Sequence, residues 1–199
     1  MTGVHLLGAG KFAVQVARWV RDADWTVRGF VATDDDPPYV PADLVVAAAT
    51  GPVLLALSDV DERRKALARF PDAAFVNLVH PTSLADTGQL AGTGIVIGPF
   101  CSLGAETTVG SFTILTGHSS VGNHCRLGTN NFLSPAFHCG NSVAIGDDNF
   151  FGLSCTVAPE VRIGDRNVFS AGATVFDATG DDRTHLSTAR VKALPRTTP

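Results

Sequence analysis

From residue 97 to residue 175 every sixth position is apolar: Ile97, Leu103, Val109, Leu115, Val121, Leu127, Leu133, Cys139, Ile145, Phe151, Val157, Ile163, Phe169 and Val175. In a chain that is 45% hydrophobic, such an unbroken run in one fixed phase arises by chance about once in 10⁵. The following residue is often glycine, as at Gly98, Gly104, Gly110, Gly122, Gly128, Gly140, Gly146, Gly152 and Gly164. The residue two places earlier is mostly small or compact, as at Cys101, Thr107, Thr113, Ser119, Cys125, Asn131, Asn149, Cys155, Asn167 and Ala173, with Phe137 the bulkiest exception.

A period of six fits neither an α-helix nor a long strand. It fits a short strand plus a corner, in which the apolar residue and the small residue two before it point inward together. The glycine is expected to ease the corner that follows. Three sides close a coil of 18 residues, so residues 18 apart stack at about the 4.8 Å strand spacing, and the repeat spans about 4.7 coils. Asn131, Asn149 and Asn167 then form an inward ladder whose amides satisfy one another. Phe132 stacks on Phe150 as an outward apolar stripe, read as an interface. Cys101, Cys125, Cys139 and Cys155 fall on inward positions without any C-x-x-C spacing. They read as small hydrophobes rather than a disulfide framework or a zinc knuckle, with a reducing cytoplasm as the default setting.

The first ninety residues follow another rule. Val4–Leu7 reads as a buried strand, Gly8-Ala9-Gly10-Lys11-Phe12-Ala13 as a G-x-G-x-x-A turn opening a helix near residues 11–23, and Thr26–Val31 as the next strand, ending at Asp34-Asp35-Asp36. Strand, glycine turn, helix, strand and acid follow the order of a nucleotide-binding half-fold; a tight βα turn without a ligand is the alternative. Val53–Leu57 is a further strand, and Ser58 is expected to cap a helix whose first turn holds Asp59, Asp61 and Glu62. About 80 residues are too few for a full dinucleotide fold, so a mononucleotide or one end of a nucleotide sugar fits better. The expected organisation is an α/β domain over 1–82, a β-solenoid over 83–178 and a tail over 179–199.

Charge and hydropathy narrow the partners. Fifteen basic against 19 acidic residues give a net charge of −4, which argues against nucleic acid as the main partner. No apolar run reaches the ~18 residues that a membrane span requires, and the N-terminal segment lacks a secretion-signal pattern. A cytoplasmic protein is expected.

The GAG turn, the junction Phe75-Val76-Asn77-Leu78-Val79-His80-Pro81 (F-x-x-L-V-H-P) and the hexapeptides together resemble one family over residues 4–176. It is the sialic-acid O-acetyltransferase and UDP-4-amino-sugar N-acetyltransferase branch of the left-handed β-helix (hexapeptide-repeat) acyltransferases. The resemblance implies a small Rossmann-like βαβ domain followed by a left-handed parallel β-helix, against the usual right-handed crossover preference. It also implies a homotrimer, a nucleotide sugar held partly on the small domain through Gly8, Gly10, Lys11, Asp34 and Asp35, and acetyl-CoA in a cleft between neighbouring β-helices. In the frame of the sixes, the family's catalytic His position is Asn123 and its acid position is His124. The family's upstream Asn falls on Thr116, and the Gly whose amide meets the thioester carbonyl falls on Asn141. The Gly-x-Pro-Ala ending of the family is replaced by the run from Thr188 to Pro195.

Acyl transfer from a thioester needs a base for the nucleophile's proton and a donor for the developing oxyanion. His124 is the expected base, with Glu106, 18 residues earlier and so directly beneath it, orienting the imidazole and supporting its charge. Asn123, beneath Asn141, is expected to position substrate or an oxyanion. For the phosphates of coenzyme A, the repeat offers Arg126, Arg162 and Arg166, of which Arg126 and Arg162 share a column. No metal is expected, the alternative being a zinc site shared between subunits and built from His118, His124 and His138, as in a metal-dependent hydratase or hydrolase. A diverged activity on the same scaffold is the other rival.

Overall fold

The computed structural model describes residues 2–33 and 38–187. The chain opens with β1 (Gly3–Leu7), α1 (Lys11–Asp22), β2 (Thr26–Val31), β3 (Pro52–Leu55), α2 (Val60–Arg69) and β4 (Ala74–Phe75). Their strands form one parallel sheet in the order β2-β1-β3-β4. All five residues of β1 are buried, because a central parallel strand is covered on both faces and shows no alternation. α1 buries Ala13, Val16, Ala17, Trp19 and Val20, the stripe that a 3.6-residue period places on one side. The cap of α2 differs from expectation: it is Asp59, whose carboxylate accepts the Glu62 N–H at 2.8 Å, and not Ser58. The cap must reach the amide three residues on, and from Asp59 that residue is Glu62 in the first helical turn.

From Leu78 onward the chain winds as a β-solenoid with three flat faces. The first face stacks seven two-residue strands, Leu78–Val79, Val96–Ile97, Ile114–Leu115, Phe132–Leu133, Phe150–Phe151, Val168–Phe169 and Thr184–His185. The second stacks five, from Ser102–Leu103 to Thr174–Val175, and the third four, from Thr108–Val109 to Arg162–Ile163. Register is 18 residues from Leu78 to Val168, as in Ile114, Phe132 and Phe150, begins one coil before the repeat is legible in the sequence, and shortens to 16 at the last step, Val168 to Thr184. The inward residues form a single column of core that includes all four cysteines, each a free thiol. Burial pushes the Cys101 thiol up to about 11, consistent with its use as a small hydrophobe.

Three details depart from the sequence reading. First, the repeat glycines do not make the corners. The corners are made two residues later, by twelve successive non-glycine residues from Phe100 to Arg166 that sit in the left-handed region with φ between 55° and 66°. Each costs roughly 1 kcal/mol of backbone strain, offset from Phe112 onward by its N–H, which donates to a carbonyl on the coil before, as from His124 to Ala105 at 2.8 Å and from Asn130 to Ser111 at 2.9 Å. The glycines serve the stacking instead: a Cβ on Gly122 would lie 2.5 Å from the Gly140 carbonyl. Second, the amides of the Asn ladder do not satisfy one another. Asn131 and Asn149 each accept the backbone N–H of the next Asn, at 2.9 and 2.8 Å, while their side-chain NH2 groups donate to the Gly146 and Gly164 carbonyls. One coil spacing is too wide for an amide to reach its counterpart yet right for the backbone between them.

Third, the Phe132–Phe150 pair is stacked, at 5.7 Å, but is not a surface stripe. Phe132 is 5% exposed and, with Leu78, Val96 and Ile114, shares one core with the N-terminal sheet and helices. The first face of the solenoid packs against the N-terminal sheet and helices, so the apolar side chains find their partners within the chain.

The far end of the solenoid is closed by an aromatic column. Phe151 stacks on Phe169 at 4.5 Å and His185 on Phe169 at 4.2 Å, with Thr179 Oγ1 3.1 Å from His185 Nε2. Burial, then the Arg183 charge, lowers the His185 pKa. A histidine with a lowered folded pKa contributes its full stability above the ordinary value of 6.5 and loses it as pH falls, because the unfolded chain takes the proton more readily. Buried His5, lowered by burial and by Arg28, acts in the same direction. The melting temperature is therefore expected to fall between pH 7.5 and 5.5, and His185→Phe to flatten part of that slope; an unchanged slope in the variant would remove His185 from the account.

Candidate active site

Two places gather the candidate side chains. One is a cavity of about 270 Å³ at the edge of the N-terminal sheet, walled by Gly10, Lys11 and Phe12 at the start of α1, by Ala56, Leu57 and Ser58 after β3, and by Tyr39 and Glu62. Gly8 has φ +123°, and a Cβ there would lie 2.5 Å from the Ala56 carbonyl, so the turn tolerates only glycine at this point. Gly10 is the N-cap of α1 with extended backbone and no side-chain cap, so the first amides of a 12-residue helix open toward the cavity wall. Lys11 Nζ lies 5.5 Å from the centre of the Tyr39 ring, and the Tyr39 N–H is held by the Ala9 carbonyl at 2.8 Å. Thr33 Oγ1 donates to the Glu62 carboxylate. Of the residues expected here, Gly10 and Lys11 line the cavity and Gly8 shapes its turn, whereas Asp34 and Asp35 lie outside the described residues. Sequence reasoning missed Phe12 and Tyr39 as walls. The signal for Tyr39 was its being the chain's single tyrosine, just after Pro37-Pro38.

The other place is the solenoid corner between the second and third faces. His124 and Glu106 occupy equivalent positions on adjacent coils, both exposed and both left-handed with φ 57° and 56°. Among the described residues their side chains make no hydrogen bond to one another. Asn123 Oδ1 accepts the Ala105 N–H at 2.9 Å, and Asn141 Oδ1 accepts the Asn123 N–H at 2.8 Å. Both amides thus have their oxygen tied to the corner below and direct the NH2 outward as a donor. The same corner device recurs one face on with Asp147, Asp165 and Asp181, which explains why Asn or Asp keeps returning at this phase.

The remaining candidates are dispersed. Arg162 and Arg126 project from the third face with Ala144 between them, two coils apart. Arg166 is engaged by Asp182, through Nε at 2.7 Å and Nη2 at 2.9 Å, with Asp181 and Asp165 within 4 Å. His138 Nδ1 lies 2.7 Å from Ser120 Oγ, and His118 stacks on Phe100 at 4.9 Å. Within one chain the three histidines do not converge, and among the described residues no three His, Cys, Asp or Glu side chains are grouped as a metal site would be.

Compared with solved structures, the whole arrangement has close parallels. The chain matches a His-to-Asn variant of perosamine N-acetyltransferase from Caulobacter crescentus, in complex with CoA and GDP-perosamine, at 25% identity and a TM-score of 0.81, over 97% of this chain and 98% of that one. The protein has the fold of the left-handed β-helix acyltransferases. The acetyltransferase domain of PglB from Neisseria gonorrhoeae gives the same fold at 17% identity and a TM-score of 0.78, over 94% and 97% of the two chains. By sequence, 57 residues are 33% identical to an acyl-[acyl-carrier-protein]–UDP-N-acetylglucosamine O-acyltransferase of Mesorhizobium japonicum, 29% of this chain. The match spans only 20% of that curated relative's length. No protein-family model matches the chain. Among the described residues no helix is long and apolar enough to cross a membrane.

Proposed function

We propose that this protein is an acyl-CoA-dependent acyltransferase, an N- or O-acetyltransferase whose acceptor is an amine or hydroxyl of a nucleotide-linked sugar. The observation that carries the reading is that its likeness to an enzyme holding CoA and GDP-perosamine runs the full length of the chain, small domain and solenoid together. The small domain is read as a Rossmann-like unit: β1 is central and its glycine turn meets the start of α1 beside a cavity sized for one nucleotide. The acceptor's lone pair attacks the thioester carbonyl, and His124 takes the proton that the nucleophile gives up. The outward NH2 groups of Asn123 and Asn141 stabilise the oxyanion, and its collapse expels the CoA thiolate, which takes up a proton to leave as free thiol. Glu106 supports the imidazolium from the coil below.

Coenzyme A is placed along the third face, where Arg162 and Arg126 offer cations to its phosphates; Arg166 contributes through the rim it forms with Asp182. A cytoplasmic homotrimer completes the reading. Its support is the exposed apolar corner of Phe100 and Leu153, 57% and 54% accessible in the single chain, a better candidate for a subunit contact than the covered Phe132. Sedimentation at micromolar concentration reads the assembly directly, and a stable monomer would remove the shared cleft.

The test is thiol release from acetyl-CoA in the presence of GDP- and UDP-linked amino sugars. Release that depends on acceptor is the expected result, with Gly10→Val abolishing acceptor binding while the solenoid stays folded. No release with any nucleotide sugar, alongside measured binding of the sugar, would assign the scaffold to a different activity.

A further inference from the structure

Arg63 is fully buried at the junction of the two domains. Its Nη2 donates to the Asn130 carbonyl at 2.7 Å, and Asn130 returns the contact through Nδ2 to the Val60 carbonyl at 3.2 Å. Asn130 is itself a left-handed corner residue, φ 55°, steadied by Asp148 Oδ1 at 2.6 Å. The guanidinium carbon lies 5.6 Å from the centre of the Phe132 ring, and that ring packs edge-to-face with Phe12, ring centres 5.4 Å apart. Phe12 and Glu62, the residue before Arg63, line the same small-domain cavity. Both walls of the cavity, one from α1 and one from α2, are thereby referenced to two residues of a single solenoid coil, Asn130 and Phe132.

We propose that Arg63 is a positioning residue for nucleotide binding: it seats the first turn of α2, and with it the Glu62 wall, on the solenoid at Asn130. The proposal rests on the reading of that cavity as the nucleotide site. Its energetic basis is unusual for an anchor. Arg63 Nε and Nη1 have no hydrogen-bond partner among the described residues. Burial pulls its pKa down, and Asp148 and Asp59 only partly restore it. A buried guanidinium with unsatisfied donors opposes stability, and an apolar side chain of similar volume is often neutral or stabilising in its place. What Arg supplies and an apolar residue lacks is direction, because a planar fork bonded to one carbonyl and laid on one ring fixes the helix turn in rotation as well as distance.

Three proteins test this: wild type, Arg63→Met and Arg63→Lys. Each is measured for melting temperature, for GDP and UDP binding by calorimetry, and for acceptor KM, acetyl-CoA KM and kcat by thiol release. Arg63→Met is expected to melt at or above the wild-type temperature yet to bind nucleoside diphosphate about 10–100-fold more weakly. Acceptor KM should rise in step, with acetyl-CoA KM and saturated kcat unchanged. Arg63→Lys, which keeps one donor for Asn130, should recover part of the affinity, and it carries the test if the Met variant does not fold. Unchanged nucleotide affinity in Arg63→Met, or a lower melting temperature with both KM values raised equally, overturns the proposal while leaving the acyltransferase reading intact. A wild-type protein that binds neither GDP nor UDP overturns the nucleotide reading, and the proposal with it.

Discussion

Replacing His124 by Ala should lower kcat by about 10²–10⁴, the range over which a positioned general base contributes. His124 is an exposed corner side chain whose backbone is fixed by the bond to Ala105, so the truncation removes the imidazole without disturbing the coil. Acetyl-CoA KM should hold, because the proton transfer belongs to the transition state and not to cofactor binding. Glu106→Gln should cost less than His124→Ala, since it keeps the shape beneath the ring and removes only charge. Asn123→Ala combines two losses, the outward NH2 and the bond to Ala105, and so should lower both rate and stability. A fully active His124→Ala protein would move the base to His138, beside Ser120, or to an acceptor that arrives already deprotonated.

The second large effect is on the fold. Gly122→Ala should destabilise by more than about 4 kcal/mol, at the exceptional end of single substitutions, and lower the melting temperature by about 8–16 °C. The new Cβ would stand 2.5 Å from the Gly140 backbone, and 2.7 Å from the Asn141 nitrogen, with no flexible side chain to yield. Separating the coils there would also stretch the bond from Gly122 N–H to the Cys139 carbonyl, 3.1 Å in the native register. Gly180→Ala is the control, because nothing lies within 4 Å of its Cβ position and its melting temperature should not move. Equal stability of Gly122→Ala and wild type would mean that the spacing of coils is not set by these glycines.

Much of this architecture was written in the order of residues. A period of six with inward pairs needs no information beyond the chain, since strand alternation and closure over three sides are local rules. The register of 18 and the inward Asn131, Asn149 and Asn167 follow from it, and the order β1-α1-β2 follows from the strand, glycine turn and helix signals of the first thirty residues. The placement of the candidate residues was legible to a lesser degree: Gly8, Gly10 and Lys11 fall beside a cavity because a glycine turn before a helix is a contiguous signal, and His124 lies over Glu106 because 18 residues make one coil.

Tertiary structure alone decided the rest. Whether Phe132 faces solvent, a second subunit or its own small domain cannot be read from its neighbours in sequence, because the covering residues Phe12 and Arg63 are more than sixty positions away. The role of the repeat glycines was misread for the same reason. A corner and a close stacking both call for glycine, and only the distance to the next coil tells them apart. The oxygens of Asn123 and Asn141 are committed to backbone amides, a fact visible only once adjacent coils are superposed. Local periodicity specifies how each coil turns; contacts between coils and between domains specify which side chains are left free to act.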